Sequence, residues 1–302
     1  MVVASLPMLA AKTITASKNY VTKTVNTGSF TGVHTTSSID IEYRQGPLKV
    51  QLYAPDNLVP YIKVKVSNNA LTAYYDYNGS ITINGNNTKL IVSAPNVTSF
   101  CTQASGDIDI KTGYVTNGKV SFTTQGSGDI EALSVKAGEV KLTTQASGDI
   151  ELSTIEASIA QLATQGSGDI DVSSVKASTV SVMSQASGDI EIKTVTGTSA
   201  KVMTQGSGDV DVAQLSVTGL EATVQGSGDM SLKGKCVNAA YSSYGSGSIY
   251  AKSMNAEVVT ARTYGSGDID CYASKSVIGD TYGSGDISVS GHPGQKKISD
   301  HR

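Results

Sequence analysis

Apolar side chains recur in pairs two residues apart, and successive pairs are separated by a step of three. In the segment beginning at Ile170 they fall on Ile170, Val172, Val175, Ala177, Val180 and Val182, at offsets 0, 2, 5, 7, 10 and 12. The segment from Ile150 repeats the pattern with Leu152, Ile155, Ala157, Ala160 and Leu162, and that from Val210 with Val212, Leu215, Val217, Leu220 and Ala222. Each pair is a short strand with one face turned inward, and each three-residue step is a corner that resets the parity. No i, i+3, i+4, i+7 pattern runs through these segments, so a helical solenoid is not expected.

A Ser-Gly-Asp motif punctuates the pattern. Its glycines are Gly106, Gly128, Gly148, Gly168, Gly188, Gly208, Gly228, Gly247, Gly267 and Gly285, spaced by 22, 20, 20, 20, 20, 20, 19, 20 and 18 residues. The eighth copy reads Ser246-Gly247-Ser248. A strict period means one structural unit per repeat. Short strands that return to their start every 20 residues predict an all-β fold, a single-stranded parallel β-helix of about ten coils. The usual chirality of parallel connections makes the expected hand right-handed. Glycine in the motif supplies either positive φ or close approach of neighbouring coils, and Asp is expected to cap its own turn.

Residues 18–100 lack the motif but keep period two: Ile39, Ile41 and Tyr43; Val50, Leu52 and Ala54; Ile62, Val64 and Val66; Leu71, Ala73 and Tyr75; Ile81 and Ile83; Leu90, Val92 and Ala94. Turn signals separate these runs, among them Asn68-Asn69, Asn78-Gly79 and Asn84-Gly85. This part is read as larger, less regular coils or as a β-cap on the same helix, since an open coil end exposes unpaired strand edges. Residues 101–290 are the regular coils. Residues 1–17 are read as a leader, with the apolar Met1–Ala11 as the remnant of a secretory signal, and the polar residues 291–302 as a tail expected to fray.

Composition narrows the function classes. The 302 residues carry Lys+Arg 23 against Asp+Glu 26, a net charge of −3, which argues against nucleic-acid binding through basic charge. No stretch approaches the roughly 18 apolar residues of a membrane helix. Three well-separated cysteines, Cys101, Cys236 and Cys271, give neither a disulfide framework nor a CxxC metal site and are read as small buried residues. His34, His292 and His301 have no Cys or second His at ligand spacing. No nucleophile elbow with a usable His and no phosphate loop appears.

Stacking turns repeated letters into columns. Flanking the inward motif Ile, one outward column holds Asp107, Asp129, Asp149, Asp169, Asp189, Asp209, Asp229, Asp268 and Asp286. The other holds Asp109, Glu131, Glu151, Asp171, Glu191, Asp211 and Asp270. Like charges one strand spacing apart repel by about 0.9 kcal/mol in bulk water, which favours cation uptake or raised pKa values. The two columns are therefore a candidate calcium stripe; the alternative is a row of turn caps beside a solvated acidic face. A further column, Gln103, Gln125, Gln145, Gln165, Gln185, Gln205 and Gln225, continues as Tyr244, Tyr264 and Tyr282. At offset 15 it extends the inward series and is read as a structural ladder of stacked amides and rings. An exposed Tyr row would instead stack on sugar rings.

Two stretches carry a resemblance. One runs from Phe30-Thr31-Gly32-Val33 through Ser37-Ser38-Ile39-Asp40-Ile41 to Ala54-Pro55-Asp56-Asn57-Leu58 and Ile62-Lys63-Val64-Lys65-Val66; the other is the series of Gly-Ser-Gly-Asp-Ile units such as Gly166–Ile170. In these the chain resembles the head GIN domain family, the auto-transporter adhesins of Bacteroidetes-type bacteria, over about residues 18–290. The resemblance implies a β-helical, secreted, periplasmic or cell-surface protein with an adhesive role and no catalytic residues to carry over. A membrane barrel, needing alternating strands of about ten residues, is not expected after the last coil. The expected function is a non-enzymatic surface-binding scaffold for a glycan or protein ligand. The alternatives are a calcium-stabilised rod and a polysaccharide-active enzyme; against the latter, the coils are uniform and the arginines are only Arg44, Arg262 and Arg302.

Overall fold

The computed structural model describes residues 12–77 and 81–302. The proposed signal remnant Met1–Ala11 and the Asn78-Gly79 turn lie outside the described residues. Among those described there are 25 strands, one 3-10 turn at Val59–Tyr61 and no α-helix. The chain forms a β-solenoid of stacked parallel coils, about ten turns long.

The motif isoleucine sets the register. Ile108 pairs with Ile130, and then Ile150, Ile170, Ile190, Val210, Met230, Ile249, Ile269 and Ile287 follow, each parallel to the last. In the most regular coils a single strand runs round the corners without a break, as in Ile130–Thr144, Ile150–Thr164 and Ile170–Ser184. The residues at offsets 0, 2, 5, 7, 10 and 12 of the Ile170 coil are all buried, and the residues between them face out or toward the corners. Apolar columns therefore fill the interior, and the backbone amides of each coil are satisfied by its neighbours.

The uneven spacings have local causes. The 22-residue interval carries one extra residue between Ile110 and Tyr114 and a second between Val115 and Lys119, at the two corners that flank Tyr114–Val115. The 19-residue interval loses a residue at Gly234, which pairs with Leu215 after a register shift. Gly234 has φ +134°, and a Cβ there would lie 2.1 Å from the Leu215 carbonyl, so only glycine closes the shortened corner. The 18-residue interval is shortened between Cys271 and Ser276, opposite Ala251 to Val258, again with register shifts. Tyr241 shows how volume is balanced inside the tube: the residues paired with it on either side are Ala222 and Ala261.

The N-terminal part stacks out of chain order. Gly32–Thr35 and Asp40–Gln45 lie directly beside Ser99–Thr102 and Ile108–Ile110, in parallel. Their other edges are covered by Ala70–Tyr75 and Lys89–Ala94, also in parallel. Antiparallel pairing enters beyond that: Lys49–Pro55 with both Tyr20–Thr24 and Lys89–Ala94, and Ile62–Ser67 with Ala70–Tyr75. The last hairpin turns through Asn68 and Asn69, with φ 51° and 62°, as a tight two-residue turn requires. At the junction with the regular coils, Tyr43, Phe100, Tyr114 and Phe122 are all fully buried and pack as one aromatic cluster.

The polar tail holds a strand. Gln295–Asp300 pairs in parallel with Ser276–Thr281 and adds one more coil side. Ile298 reaches into the room left by Gly279, where its Cδ1 would sit 2.6 Å from an added Cβ.

Candidate functional site

The motif resolves into three interlocked ladders. The glycines are present for close approach and not for positive φ, since none of the motif glycines has φ in the left-handed region. A Cβ at Gly148, Gly168, Gly188 or Gly228 would stand 2.1–2.2 Å from the carbonyl oxygen of the motif glycine one coil below. That carbonyl is itself gripped. Thr102, Thr124, Thr144 and Thr164, all buried, donate their hydroxyls to Gly128, Gly148, Gly168 and Gly188 one coil above, at 2.7, 2.7, 2.8 and 3.0 Å. Ser184, Ser243 and Thr263 make the equivalent bond within their own coil.

The motif Asp caps the coil above and not its own turn. Asp107 Oδ1 accepts the Asp129 backbone N–H at 2.9 Å, and Asp149, Asp169, Asp189, Asp209 and Asp229 continue the relay at 2.7–2.8 Å. Ser248 fills the gap: its N–H donates to Asp229, its hydroxyl accepts from Asp268, and Asp268 accepts from Asp286. The relay begins one coil earlier than the motif, at Asp40, which accepts the Asp107 N–H. Hydrogen bonds to a charged group contribute roughly 1.5–3 kcal/mol. Asp169→Ala is therefore expected to cost about 1.5 kcal/mol in urea denaturation and Asp169→Asn, which keeps an accepting oxygen, less than about 0.5 kcal/mol. Equal losses for the two would mean that the carboxylate contributes through charge alone.

The outer acidic column begins at Glu42 and runs unbroken through Asp109, Glu131, Glu151, Asp171, Glu191 and Asp211. Ser231 and Tyr250 then separate it from Asp270. Lysines neutralise its N-terminal end, where Lys89 pairs with Glu42 and Lys111 with Asp109. In the middle, burial and then the charges of Glu191, Asp169, Glu151 and Asp149 raise the Asp171 pKa above its ordinary 3.8. Burial, and to a lesser degree the charge of Asp107, raise that of Asp40. A raised carboxyl pKa means that ionisation costs the folded state, a cost absent below the ordinary value and complete above the raised one. Asp171→Asn is thus expected to raise the melting temperature at about pH 7 and to leave it unchanged at about pH 3. A gain at both pH values would assign the effect to something other than charge.

The structure thus lines up the predicted acids but does not close them round a point. Each relaying motif Asp commits one oxygen to a backbone N–H, the columns run side by side along the solenoid, and among the described residues no three His, Cys, Asp or Glu side chains form a group able to hold a metal ion. The three cysteines are free and buried, with thiols pushed up to about 11 by burial, which makes them poor nucleophiles.

The glutamine ladder lies on the outside, one residue past the inward position. From Gln103 to Gln225 each side-chain amide donates to the carbonyl of the next, at 2.9–3.1 Å. Tyr244, Tyr264 and Tyr282 continue it with centroids 4.8 and 4.9 Å apart, and His301 stacks on Tyr282 at 4.7 Å. The rings are nearly parallel, so each covers its neighbour's face. Tyr264 and Tyr282 have a ring on both faces and so offer no open face to a sugar ring.

A family comparison completes the picture. The family model "Putative auto-transporter adhesin, head GIN domain" matches residues 29–196 and 192–293. The chain belongs to the head GIN domain family. Its solenoid resembles a solved putative adhesin from Parabacteroides distasonis at 17% identity and TM-score 0.59, covering 92% of this chain and all of that one. A putative adhesin from Parabacteroides merdae matches at 14% identity and TM-score 0.49, covering 92% of this chain and 99% of that one. Among curated proteins, none matches the chain. The head GIN family resemblance read from the two sequence stretches is thereby established. No helix among the described residues is long and apolar enough to cross a membrane.

Proposed function

We propose that this head GIN domain protein is a non-enzymatic adhesin of the cell surface, periplasm or secreted space. On this reading its solenoid presents fixed side-chain columns to a glycan or protein ligand. The observation that carries the reading is the in-register stack from Ile108 to Ile287, which repeats the same outward residues coil after coil and so builds a long, uniform face. Family membership supports the adhesive role. The rigidity of the face supports it too: its acids, amides and tyrosines are held by ladder contacts before any ligand arrives, which lowers the ordering cost of binding.

The test is a glycan and matrix-protein array probed with the full chain, with and without calcium. Saturable binding to a defined ligand class without turnover is the expected result. Cleavage of a bound glycan would overturn the non-enzymatic part of the reading. A blank array accompanied by a calcium-dependent rise in melting temperature would replace the adhesin with a calcium-stabilised rod.

A further inference from the structure

The last turn of the solenoid leaves a bare edge. Ile287–Ser290 and Gln295–Asp300 each pair with Ile269–Thr281 on one side, and neither pairs with a strand on the other side among the described residues. The interior is also less well closed here. Ile287 and Val289 are half-buried and Ile298 is 37% exposed, whereas the motif column from Ile108 to Ile269 is buried throughout. An open edge beside an incompletely covered core is a template for another strand.

The residues of Gln295–Asp300 say which strand fits. His301 donates its N–H to the Thr281 carbonyl in the coil below at 2.8 Å. Backbone groups alternate sides along a strand, so residues 295, 297 and 299 bond that coil, and Lys296, Ile298 and Asp300 hold their N–H and C=O groups toward the open edge. The same three residues stand opposite Val277, Gly279 and Thr281, which are buried, so they occupy the inward positions. Lys296 and Asp300 flank Ile298 at equal distance along the chain with opposite charge. An antiparallel copy of the strand, aligned Ile298 on Ile298, sets Lys296 opposite the second copy's Asp300 and Asp300 opposite its Lys296. That register also uses the free N–H and C=O groups of all three residues. Charges of one sign would make the edge repel its like; these complement it. Lys296 forms no ion pair in its own chain among the described residues. Asp300 meets Arg302 at 2.9 Å on the surface, where such a pair contributes little, and Arg302 also reaches Asp286 at 3.2 Å.

We propose that two copies of this chain join end to end through Gln295–Asp300, paired antiparallel about a two-fold axis at Ile298. The contact uses the same surface on both copies and so closes at a dimer. It goes beyond the adhesin reading and stands or falls apart from it. The test is sedimentation equilibrium of the full chain over a wide concentration range. The unaltered chain is expected to dimerise reversibly. Lys296→Glu brings two carboxylates together at each cross-strand pair, and Asp300→Lys brings two ammonium groups together. Each variant alone is expected to self-associate at least about tenfold more weakly, a loss of about 1.4 kcal/mol. An equimolar mixture of the two restores opposite charges at both pairs and is expected to form a mixed dimer, which tails that had merely lost their strand would not do. Lys297→Glu, on the outward side of the same strand and opposite Ser299, is expected to dimerise like the unaltered chain. A monomer at every concentration, self-association indifferent to both reversals, or failure of the mixture to associate would each overturn the proposal. Association that grows beyond two copies would also overturn it, and would assign the edge to a head-to-tail stack.

Discussion

Gly168→Ala is expected to destabilise the solenoid by about 3 kcal/mol or more, read as a lower denaturation midpoint. The added Cβ would lie 2.1 Å from the Gly148 carbonyl oxygen. Neither side has room to yield. The Gly148 carbonyl is held by the Thr124 hydroxyl at 2.7 Å, and Gly168 donates its own N–H to Ala146 at 2.9 Å. Opening the coils far enough to admit a methyl group would break the relay and the ladder on both sides of the turn. Gly219→Ala is the matched control: it lies in another of the regular coils, has no atom within 4 Å of the added Cβ and has no positive φ. It is expected to be neutral or slightly stabilising, because alanine restricts the unfolded chain. A similar loss in both variants would mean that glycine acts through flexibility and not through contact between coils.

Phe100→Ala is expected to cost about 3–5 kcal/mol, the range for removing a buried aromatic side chain. Phe100 is fully buried, stacks on Phe122 at 5.2 Å and meets the edges of Tyr43 and Tyr114 at 4.9 and 5.8 Å. It pairs with Val33 on one side and Phe122 on the other, so the cavity would open at the joint between the N-terminal layers and the regular coils. In a solenoid each unit is stabilised mainly by its neighbours. Hydrogen exchange in Phe100→Ala should therefore accelerate first around residues 32–45 and 99–110, while the coils from Ile150 to Thr204 keep their protection. Uniform acceleration along the chain would show that the solenoid unfolds as one unit.

The repeat was legible because its columns are chemical: an apolar residue, Ile, Val or Met, placed about every 20 residues has one way to be buried nine times over. The same logic misplaced Gln185 and its equivalents. Extending the corner step of five puts them inside at offset 15, but the third corner is taken up by the Gly-Ser turn, and the inward residue is Ser184 or a threonine at offset 14. A hydroxyl recurs immediately before the glutamine at Thr102, Thr124, Thr144, Thr164, Ser184 and Thr204. That was the available signal for the buried clamp. Asp40 and Glu42, which begin the two acidic columns, escaped notice because they are separated from Asp107 and Asp109 by chain that folds to the far side of the stack. Alternating hydrophobicity gives the same reading for parallel and antiparallel strands, so the hairpin pairings of residues 49–75 were not readable. The tail strand at Gln295–Asp300 was missed because its pairing uses backbone groups and little apolar surface.

Oxidative cross-linking tests the coil register most directly. The side-chain amides of Gln145 and Gln165 meet at 3.1 Å on the exposed ladder, and the native cysteines are buried. Residues one coil apart are separated by about 4.8 Å, inside the roughly 4.4–6.8 Å that a disulfide spans. The double variant Gln145→Cys, Gln165→Cys is expected to form an intramolecular disulfide rapidly. The pair Gln145→Cys, Gln185→Cys, two coils and about 9.6 Å apart, is expected to remain reduced. Rapid cross-linking of the second pair without the first would contradict a winding of one turn per 20 residues.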